Sequence, residues 1–255
     1  ERGMKHEWIP TETGWSVPCL HRIGGGEALV CVSAHGFGSS KSSPTNQLLL
    51  QGLPARGVGV LAFDFPLHGE SPDGAPPLRL ETCFDALAAA EARARSLAPR
   101  AQVVYFGSSF GAYVTLLYLT QRPHAGRRAF LRSAAVCMPE LFHHKTPEEE
   151  ARLQADGSVV LGEEYGYVRP LKLTCGFFED LDRHDLFTLW RPEEAEVRMV
   201  HGELDETIPV EEARRFAVRF QIPLTVIPGG DHRLSIPGAP ELVLERAAAF
   251  FLGRS

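Results

Sequence analysis

Short apolar runs alternate along this chain with longer segments of helical periodicity. Runs rich in β-branched and aromatic residues predict strands at 15–23, 28–34, 58–65, 102–106, 133–138, 197–200 and 224–227. The segments between them predict helices at 45–56, 78–97, 112–119, 209–220 and 239–252. This alternation is typical of an α/β fold, a mostly parallel central sheet with helices on both faces. No internal repeat or low-complexity linker breaks the pattern, so we expect a single domain over 1–255.

Candidate chemistry lies where the predicted strands end. The pentapeptide 107–111, Gly-Ser-Ser-Phe-Gly, joins the strand at 102–106 to the helix at 112–119. A G-x-S-x-G sequence between a strand and a helix is the setting of a nucleophile elbow, in which a serine occupies a strained turn and the glycines admit neighbouring backbone. The pattern is weak alone, but its flanks favour Ser109 as a nucleophile over an ordinary Gly-Ser turn.

A nucleophilic serine needs a base, and the base needs an acid that orients it. His232 follows the strand at 224–227 on a glycine-rich loop, and Asp205 follows the strand at 197–200. The chain order serine, acid, histidine differs from the orders found in trypsin-like and subtilisin-like enzymes. We therefore predict a triad of Ser109, Asp205 and His232.

The same reasoning predicts an oxyanion hole. The strand at 28–34 ends in the sequence His-Gly-Phe-Gly at 35–38. Acyl transfer places negative charge on a carbonyl oxygen, which uncrowded backbone N–H groups stabilise. We predict that the donors are the amides of Phe37 and Phe110, the second being the residue after the nucleophile.

These segments resemble the α/β-hydrolase superfamily of serine esterases over nearly the whole chain, and especially the bacterial cinnamoyl and feruloyl esterases. The resemblance rests on segments 35–38, 60–65, 68–71, 107–111, 201–205, 208–209 and 230–232. It implies an α/β-hydrolase fold and favours Asp205 over Glu203 as the acid. Relatives usually carry Arg-Gly before the segment at 68–71, whereas Pro66 and Leu67 stand here, so the details of that loop stay open.

The expected function is hydrolysis of small to medium, aromatic-type carboxylic esters through an acyl-enzyme. The same machinery serves thioesterases and acylaminoacyl-type serine peptidases, which stay open as alternatives. A ligand-binding protein on a hydrolase scaffold is the alternative outside enzymes. The predicted chemistry requires no metal or organic cofactor, and the expected partner is a small-molecule ester.

Similar enzymes carry a small insertion over the active site, and this chain has room for one at about 139–192. The insertion contains a charged segment that predicts a helix at 147–155 and a small hairpin arm at 157–162. We interpret it as a lid. Its phenylalanines either line a pocket for an apolar or aromatic acyl group or fix the lid to the core, and the pattern favours neither.

Charge and composition narrow the class of partner. The net charge is −6 and no basic cluster stands out, which argues against nucleic-acid binding. Arg122, Arg127, Arg128 and Arg132 lie close together, and we expect them on a solvated connection after a helix. Polar residues of the insertion, such as His143, His144 and Asp180, are expected to be solvated rather than to bind a metal.

Cysteine usage and hydropathy bear on the compartment. The chain has five scattered cysteines without C-x-x-C spacing, which argues against a disulfide framework or zinc site. No apolar run approaches the roughly 20 residues that span a bilayer, and residues 1–10 contain no apolar core of a secretory signal. We therefore expect a cytoplasmic protein without membrane contact. The oligomeric state is open, a homodimer included.

Overall fold

The computed structural model describes residues 3–254. Its strands are β1 (Lys5–Pro10), β2 (Ser16–Arg22), β3 (Leu29–Ala34), β4 (Val58–Phe63), β5 (Gln102–Ser108), β6 (Arg128–Arg132), β7 (Ser158–Leu161), β8 (Leu171–Thr174), β9 (Glu196–Gly202) and β10 (Leu224–Ile227). Its α-helices are α1 (Pro44–Gly52), α2 (Leu80–Leu97), α3 (Phe110–Gln121), α4 (Met138–Leu141), α5 (Pro147–Asp156), α6 (Cys175–Asp182), α7 (Leu186–Leu189), α8 (Val210–Phe220) and α9 (Ala239–Phe251). Short 3-10 turns occupy Pro54–Arg56, Glu163–Tyr165 and Pro192–Glu194.

The central sheet is mostly parallel, as predicted. Its strand order is β1-β2-β4-β3-β5-β6-β9-β10, and β7 pairs with β8 in a separate hairpin. β2 runs antiparallel to β1 and β4, and the other neighbouring strands of the sheet are parallel. The carboxyl ends of β3, β5, β6, β9 and β10 therefore lie along one edge, where loops from distant parts of the chain meet.

Both faces of the sheet are covered, which explains why its strands are apolar at successive positions. On β3, Val30 and Val32 face a core that includes residues of α2, α3 and α8, whereas Cys31 faces a second core with residues of α1 and α9. On β5, Tyr105 and Phe106 divide between the two cores in the same way. This arrangement confirms the predicted α/β-hydrolase fold class.

The predicted strand at 133–138 is wrong. The sheet uses Arg128–Arg132 as β6, and the chain then turns at Ser133, whose φ is 50°. The segment 134–138 is apolar because all five of its side chains are buried in the core. Arg128 and Arg132 are the two ends of β6, so this strand of only five residues lacks the apolar run that predicts a strand. The segment 134–138 has such a run because it is buried in the core, although it is not a strand.

The stretch between β6 and β9 forms an insertion that contains α4–α7 and the β7–β8 hairpin. The predicted charged helix is α5, which starts with a capping box between Thr146 and Glu149. The predicted hairpin arm is β7, paired with β8 from Ser158↔Thr174 to Leu161↔Leu171. The loop after β7 reaches the end of β3, where the Val168 amide donates to the Gly38 carbonyl over 2.8 Å.

An ion pair between Arg79 and Asp180 joins the insertion to the start of α2. Arg79 Nε and Nη2 donate to the two Asp180 carboxylate oxygens, each over 2.7 Å, and the Leu80 amide donates to the same carboxylate over 3.1 Å. Burial raises the pKa of Asp180, but the hydrogen bond from Arg79 and the Leu80 amide outweigh it, and the net shift is downward.

Within residues 3–254, none of the helices combines the length and hydrophobicity needed to cross a lipid bilayer.

We expect Asp180→Ala to lower the free energy of unfolding by about 1–2 kcal/mol, a figure reduced because solvent reaches Arg79 and screens the pair. Because the pKa of Asp180 is lower in the folded state, its stabilisation is present above the ordinary pKa of 3.8 and is lost as the pH falls through the folded value. Urea unfolding at pH 7 and at acidic pH measures both effects.

The matched control is Asp182→Ala. Asp182 pairs with His143, but both side chains are more than half exposed, so we expect a change within about 0.5 kcal/mol. Equal destabilisation by the two variants would contradict an anchoring role for Asp180.

Candidate active site

Ser109 stands on a strained turn at the end of β5. Its φ of 51° and ψ of −114° are uncommon for a residue with a side chain, and α3 begins at the next residue. A Cβ at Gly107 would lie 2.6 Å from the Ala112 Cα, and one at Gly111 would collide with the Ala34 carbonyl. The two glycines therefore allow α3 and β3 to approach the turn, as a nucleophile elbow requires.

Neighbouring backbone holds this turn in place. The Ser109 amide donates to the Arg132 carbonyl of β6 over 2.9 Å, and the Ala135 amide donates to the Ser109 carbonyl over 3.2 Å. The misassigned segment after β6 therefore supports the elbow from below.

The structure brings the three predicted triad side chains together. His232 Nε2 lies 3.1 Å from Ser109 Oγ. His232 Nδ1 lies 2.8 Å from Asp205 Oδ2 and 3.0 Å from Oδ1. These contacts allow the imidazole to take a proton from the hydroxyl while the carboxylate fixes its tautomer.

The backbone and two imidazoles hold the carboxylate of Asp205. Its Oδ1 accepts from the amides of Thr207 at 2.9 Å and Ile208 at 2.7 Å. Burial opposes ionisation of Asp205, but hydrogen bonds from His201 and His232 outweigh it and hold the pKa of its carboxyl well below the ordinary value. Asp205 is therefore ionised at neutral pH.

His201 is a member of this arrangement that the sequence did not reveal. Its Nε2 lies 3.1 Å from Asp205 Oδ2 and 2.9 Å from the Ile208 carbonyl. A carbonyl only accepts hydrogen bonds, so Nε2 carries the proton. Nδ1 of His201 is buried without a partner among the described residues, so the polar contacts of the ring run through Nε2, which bonds the Ile208 carbonyl and lies close to Asp205 Oδ2. Glu203, the alternative acid, does not bond the imidazole and accepts from the Gly229 amide at 2.9 Å.

The two predicted oxyanion amides flank Ser109. Gly36 packs beside the nucleophile, since a Cβ there would lie 3.6 Å from the Ser109 Cβ. Phe37 follows it, and Phe110 opens α3, where the first N–H groups of a helix have no intrahelical partner. Within residues 3–254, neither amide donates to another protein group outside regular secondary structure. Both are therefore available to an acceptor in the site.

Buried polar groups hold the turn that carries Phe37. His35 Nδ1 lies 2.7 Å from the Gly36 carbonyl, and its Nε2 accepts from the Phe65 amide over 3.1 Å. Burial lowers the pKa of His35 to about 4, which keeps the ring neutral. Lys41 binds Asp64 twice, through Nζ and through its backbone amide, each over 2.7 Å. These contacts join the turn to the loop after β4.

The loop after β4 departs from the relatives' sequence without losing its turn. Leu67 stands at the position of the relatives' glycine and has a φ of 64°, in the left-handed region that glycine adopts without strain. Its amide donates to Ser71 Oγ over 3.0 Å. A hydrogen bond to the Ser71 side chain therefore supports this left-handed backbone position without a glycine.

Three side chains hold the backbone of His232. Ser133 Oγ donates to the His232 carbonyl over 2.7 Å, and Arg132 Nη1 donates to the same oxygen over 3.0 Å. Glu206 accepts from the His232 amide over 3.0 Å. The expectation of a solvated Arg132 is wrong, because this residue ends β6 and is only 9 % exposed. Without a strand assigned to 128–132, the sequence could not show its position.

A cavity of about 1160 Å³ opens at the triad, and Ser109, His232 and the Phe37 turn lie in its wall. Its apolar lining residues include Met138, Leu141, Phe142, Tyr167 and Phe178. Its polar lining residues include Ser39, Ser42, Thr45, Arg233 and Ser235.

The phenylalanines of the insertion divide between the two predicted roles. Phe142 and Phe178 line the cavity, whereas Phe177 is fully buried and stacks on Phe37 with ring centroids 5.7 Å apart. Phe177 therefore fixes the insertion to the core. Phe142 also contacts Phe37, with ring centroids 5.3 Å apart, so the residues that line the cavity and the residue that fixes the insertion pack on the same ring.

Some polar residues of the insertion pair with one another or with the core. His143 lies 2.9 Å from Asp182, and Asp180 binds Arg79. Among residues 3–254, no group of three or more His, Cys, Asp and Glu side chains is placed to hold a metal ion. The described cysteines are all free, and only Cys175 is exposed.

A model of the alpha/beta hydrolase family matches residues 29–246. The match covers most of the chain and includes the elbow, Asp205 and His232. The chain therefore belongs to this family. No curated protein sequence matches the chain significantly.

Solved structures share the fold along its whole length. Est1E from Butyrivibrio proteoclasticus with bound ferulic acid has 19% identity and a TM-score of 0.81, over 97% of this chain and 98% of that chain. Alpha/beta hydrolase domain-containing protein 10 from mouse has 18% identity and a TM-score of 0.76, over 98% of this chain and 100% of that chain. The Pyrococcus furiosus esterase Pf2001 has 19% identity and a TM-score of 0.72, over 98% of this chain and 92% of that chain.

We expect His201→Met to slow labelling of Ser109 by a fluorophosphonate about tenfold, the effect of losing one hydrogen bond to a charged group. A carboxylate with fewer donors is held less firmly in the position that orients His232. The measurement is the second-order labelling rate between pH 5 and 9.

His201→Gln is the matched variant, because its amide N–H can donate from nearly the same position. We expect it to restore most of the rate. Equal losses in both variants would show that His201 only fills space.

Proposed function

We propose that this protein is a serine hydrolase of carboxylic esters that works through an acyl-enzyme. The observation that carries the proposal is the hydrogen-bonded series Ser109, His232 and Asp205 beside two uncommitted backbone amides. Membership of the alpha/beta hydrolase family supports hydrolysis as the class of reaction. The fold is shared with Est1E, whose structure contains ferulic acid, and this supports an aromatic acyl group.

In the proposed mechanism, Ser109 Oγ attacks the ester carbonyl carbon while His232 Nε2 takes the hydroxyl proton. Asp205 orients the imidazole through Nδ1 and stabilises its positive charge. The proton then passes from Nε2 to the leaving alcohol. Water attacks the acyl-enzyme by the same route, and the carboxylic acid is released.

The negative charge of each tetrahedral intermediate falls on the former carbonyl oxygen. The amides of Phe37 and Phe110 stabilise it, and each donor is worth on the order of 3 kcal/mol in comparable sites. Phe110 opens α3, so the positive end of the helix dipole adds to this stabilisation. The backbone hydrogen bonds that hold the strained turn at Ser109 fix the position of Oγ relative to these two amides.

We propose that the insertion at about 139–192 serves as a lid and that its aromatic wall receives the acyl group. Phe142 and Phe178 line the cavity next to Phe37, which places ring surfaces beside a predicted oxyanion donor. An acyl group with a ring gains from contact with such surfaces.

Thioesterases and acylaminoacyl-type peptidases use the same parts, so the leaving group distinguishes them. Parallel rates with an oxygen ester, its thioester and the matching anilide identify the preferred class. A ligand-binding protein on this scaffold would hydrolyse none of them and would leave Ser109 unreactive.

The first test is labelling of the intact protein with a fluorophosphonate, followed by peptide mapping. We expect one adduct, on Ser109, and no adduct in His232→Ala. Ser109→Ala should lower the hydrolysis of methyl ferulate and 4-nitrophenyl acetate by about 10⁴-fold or more, because no nucleophile remains. Circular dichroism controls for folding. Retention of more than a few per cent of the activity in folded Ser109→Ala would reject Ser109 as the nucleophile.

We expect Asp205→Asn to lower kcat by on the order of 10³-fold or more, because an amide favours the wrong tautomer of His232. Glu203→Gln is the matched control, since Glu203 bonds the Gly229 amide and not the imidazole. Its kcat should stay close to that of the unmodified enzyme. The opposite ranking would assign the acid role to Glu203.

A further inference from the structure

The carboxylates in the cavity wall have hydrogen-bond partners, whereas the cationic side chains in the same wall lack carboxylate partners among the described residues. Two carboxylates line it, and both accept hydrogen bonds from the protein: Glu149 from Tyr165 and the Thr146 amide, and Glu206 from the His232 amide. The cationic side chains in the same wall are Arg132, Lys145 and Arg233. Within the described part of the chain, none of these three forms an ion pair with a carboxylate.

Arg132 is the unusual member because it is buried. Its side chain donates to Ser108 Oγ over 3.2 Å and to the His232 carbonyl over 3.0 Å, and both acceptors are neutral. These bonds use Nε and Nη1, and Nη2 has no partner among residues 3–254. The residue is only 9 % exposed and stands in the wall of the cavity that contains Ser109.

A buried cation without a paired anion is costly. Burial lowers the pKa of Arg132 to about 10, although the negative charges of Asp205 and Asp231 partly oppose this shift. Both carboxylates are committed elsewhere: Asp205 to the imidazoles, and Asp231 to the amide and hydroxyl of Ser235. A guanidinium can bind two oxygens of an anion side by side, which would supply the missing partner.

The position of Arg132 indicates which part of an ester would carry the anion. His232 Nε2 must reach the leaving oxygen, so the alcohol part lies on the His232 side of the site. Arg132 bonds the His232 carbonyl, and Arg233 follows His232 in the chain. The aromatic wall, with Phe142 and Phe178, is formed by the insertion.

We propose that the preferred substrate is an ester whose alcohol part carries a negatively charged group, carboxylate or phosphate, and that Arg132 binds this group. The inference rests on the proposed function and deepens it. The acyl part then occupies the aromatic wall, and the two ends of the substrate are recognised by opposite chemistry.

For a hydroxy-acid ester the reaction balances without a further reagent. Ser109 Oγ bonds to the carbonyl carbon, the bond from that carbon to the alcohol oxygen breaks, and His232 protonates the departing hydroxy acid. Water then cleaves the acyl-enzyme. One ester and one water give one carboxylate, one hydroxy acid anion and one proton.

The test compares two esters of the same acyl group and nearly the same size. The 3-phenylpropanoyl ester of glycolate carries the charge, and that of glycolamide does not. We expect kcat/KM to favour the glycolate ester by roughly tenfold to a hundredfold, mainly through KM, since a charge-assisted hydrogen bond is at stake. The 3-phenylpropanoyl ester of 2-hydroxyethyl phosphate shows whether phosphate is preferred to carboxylate.

Three variants separate binding of the anion from support of His232. Arg132→Gln should remove the preference for the charged ester, and Arg132→Lys should retain much of it. Ser133→Ala is the matched control, because Ser133 donates to the same His232 carbonyl but carries no charge. We expect it to slow both esters equally and to leave their ratio unchanged.

The outcomes distinguish this inference from the proposed function. Hydrolysis of both esters at equal kcat/KM would overturn anion recognition and leave the esterase proposal standing. An equal loss on both esters in Arg132→Gln would also overturn it and would leave Arg132 as a support of His232 alone. If neither ester were hydrolysed and Ser109 resisted fluorophosphonate, the proposed function itself would fail.

Discussion

The left-handed turn at Ser109 is the constraint on which the rest of the site depends. A serine with a φ of 51° costs about 1–3 kcal/mol relative to a relaxed residue, so the surrounding fold must hold it. Hydrogen bonds between Ser109 and the segment that contains Arg132 and Ala135 do this from one side, and the glycines of the elbow let α3 and β3 close in from the other. The strain directs Oγ away from the sheet and toward His232.

The loops around that turn are braced against one another by buried polar contacts. Asp64 joins the Phe37 turn to the loop after β4 through Lys41, and Ser133 fixes the carbonyl of His232. Catalytic geometry must be held within fractions of an ångström, which packing alone rarely achieves for loops. In this protein Lys41, Asp64 and Ser133 are among the side chains that give this precision.

The cavity lining combines aromatic and polar groups. Aromatic rings from the insertion pack on Phe37, so the proposed acyl wall and the proposed oxyanion donor share one structural unit. The cavity lining also contains hydroxyl groups and Arg132, a cation without a carboxylate partner among the described residues. Under the proposed function, this cation in a chain of net charge −6 restricts the choice of substrate.

The sequence alone determined the fold class, the positions of most strands and the residues of the proposed triad. These follow from local patterns: apolar runs mark strands buried on both faces, and Ser109, Asp205 and His232 each follow such a run. Tertiary structure alone decided the place of β6, because Arg128 and Arg132 concealed a short strand and buried residues after it imitated one. It also decided the roles of His201 and Arg132. Their partners, the Asp205 carboxylate and the His232 carbonyl, are reached only through folding, and no spacing along the chain encodes which atom a buried side chain will meet.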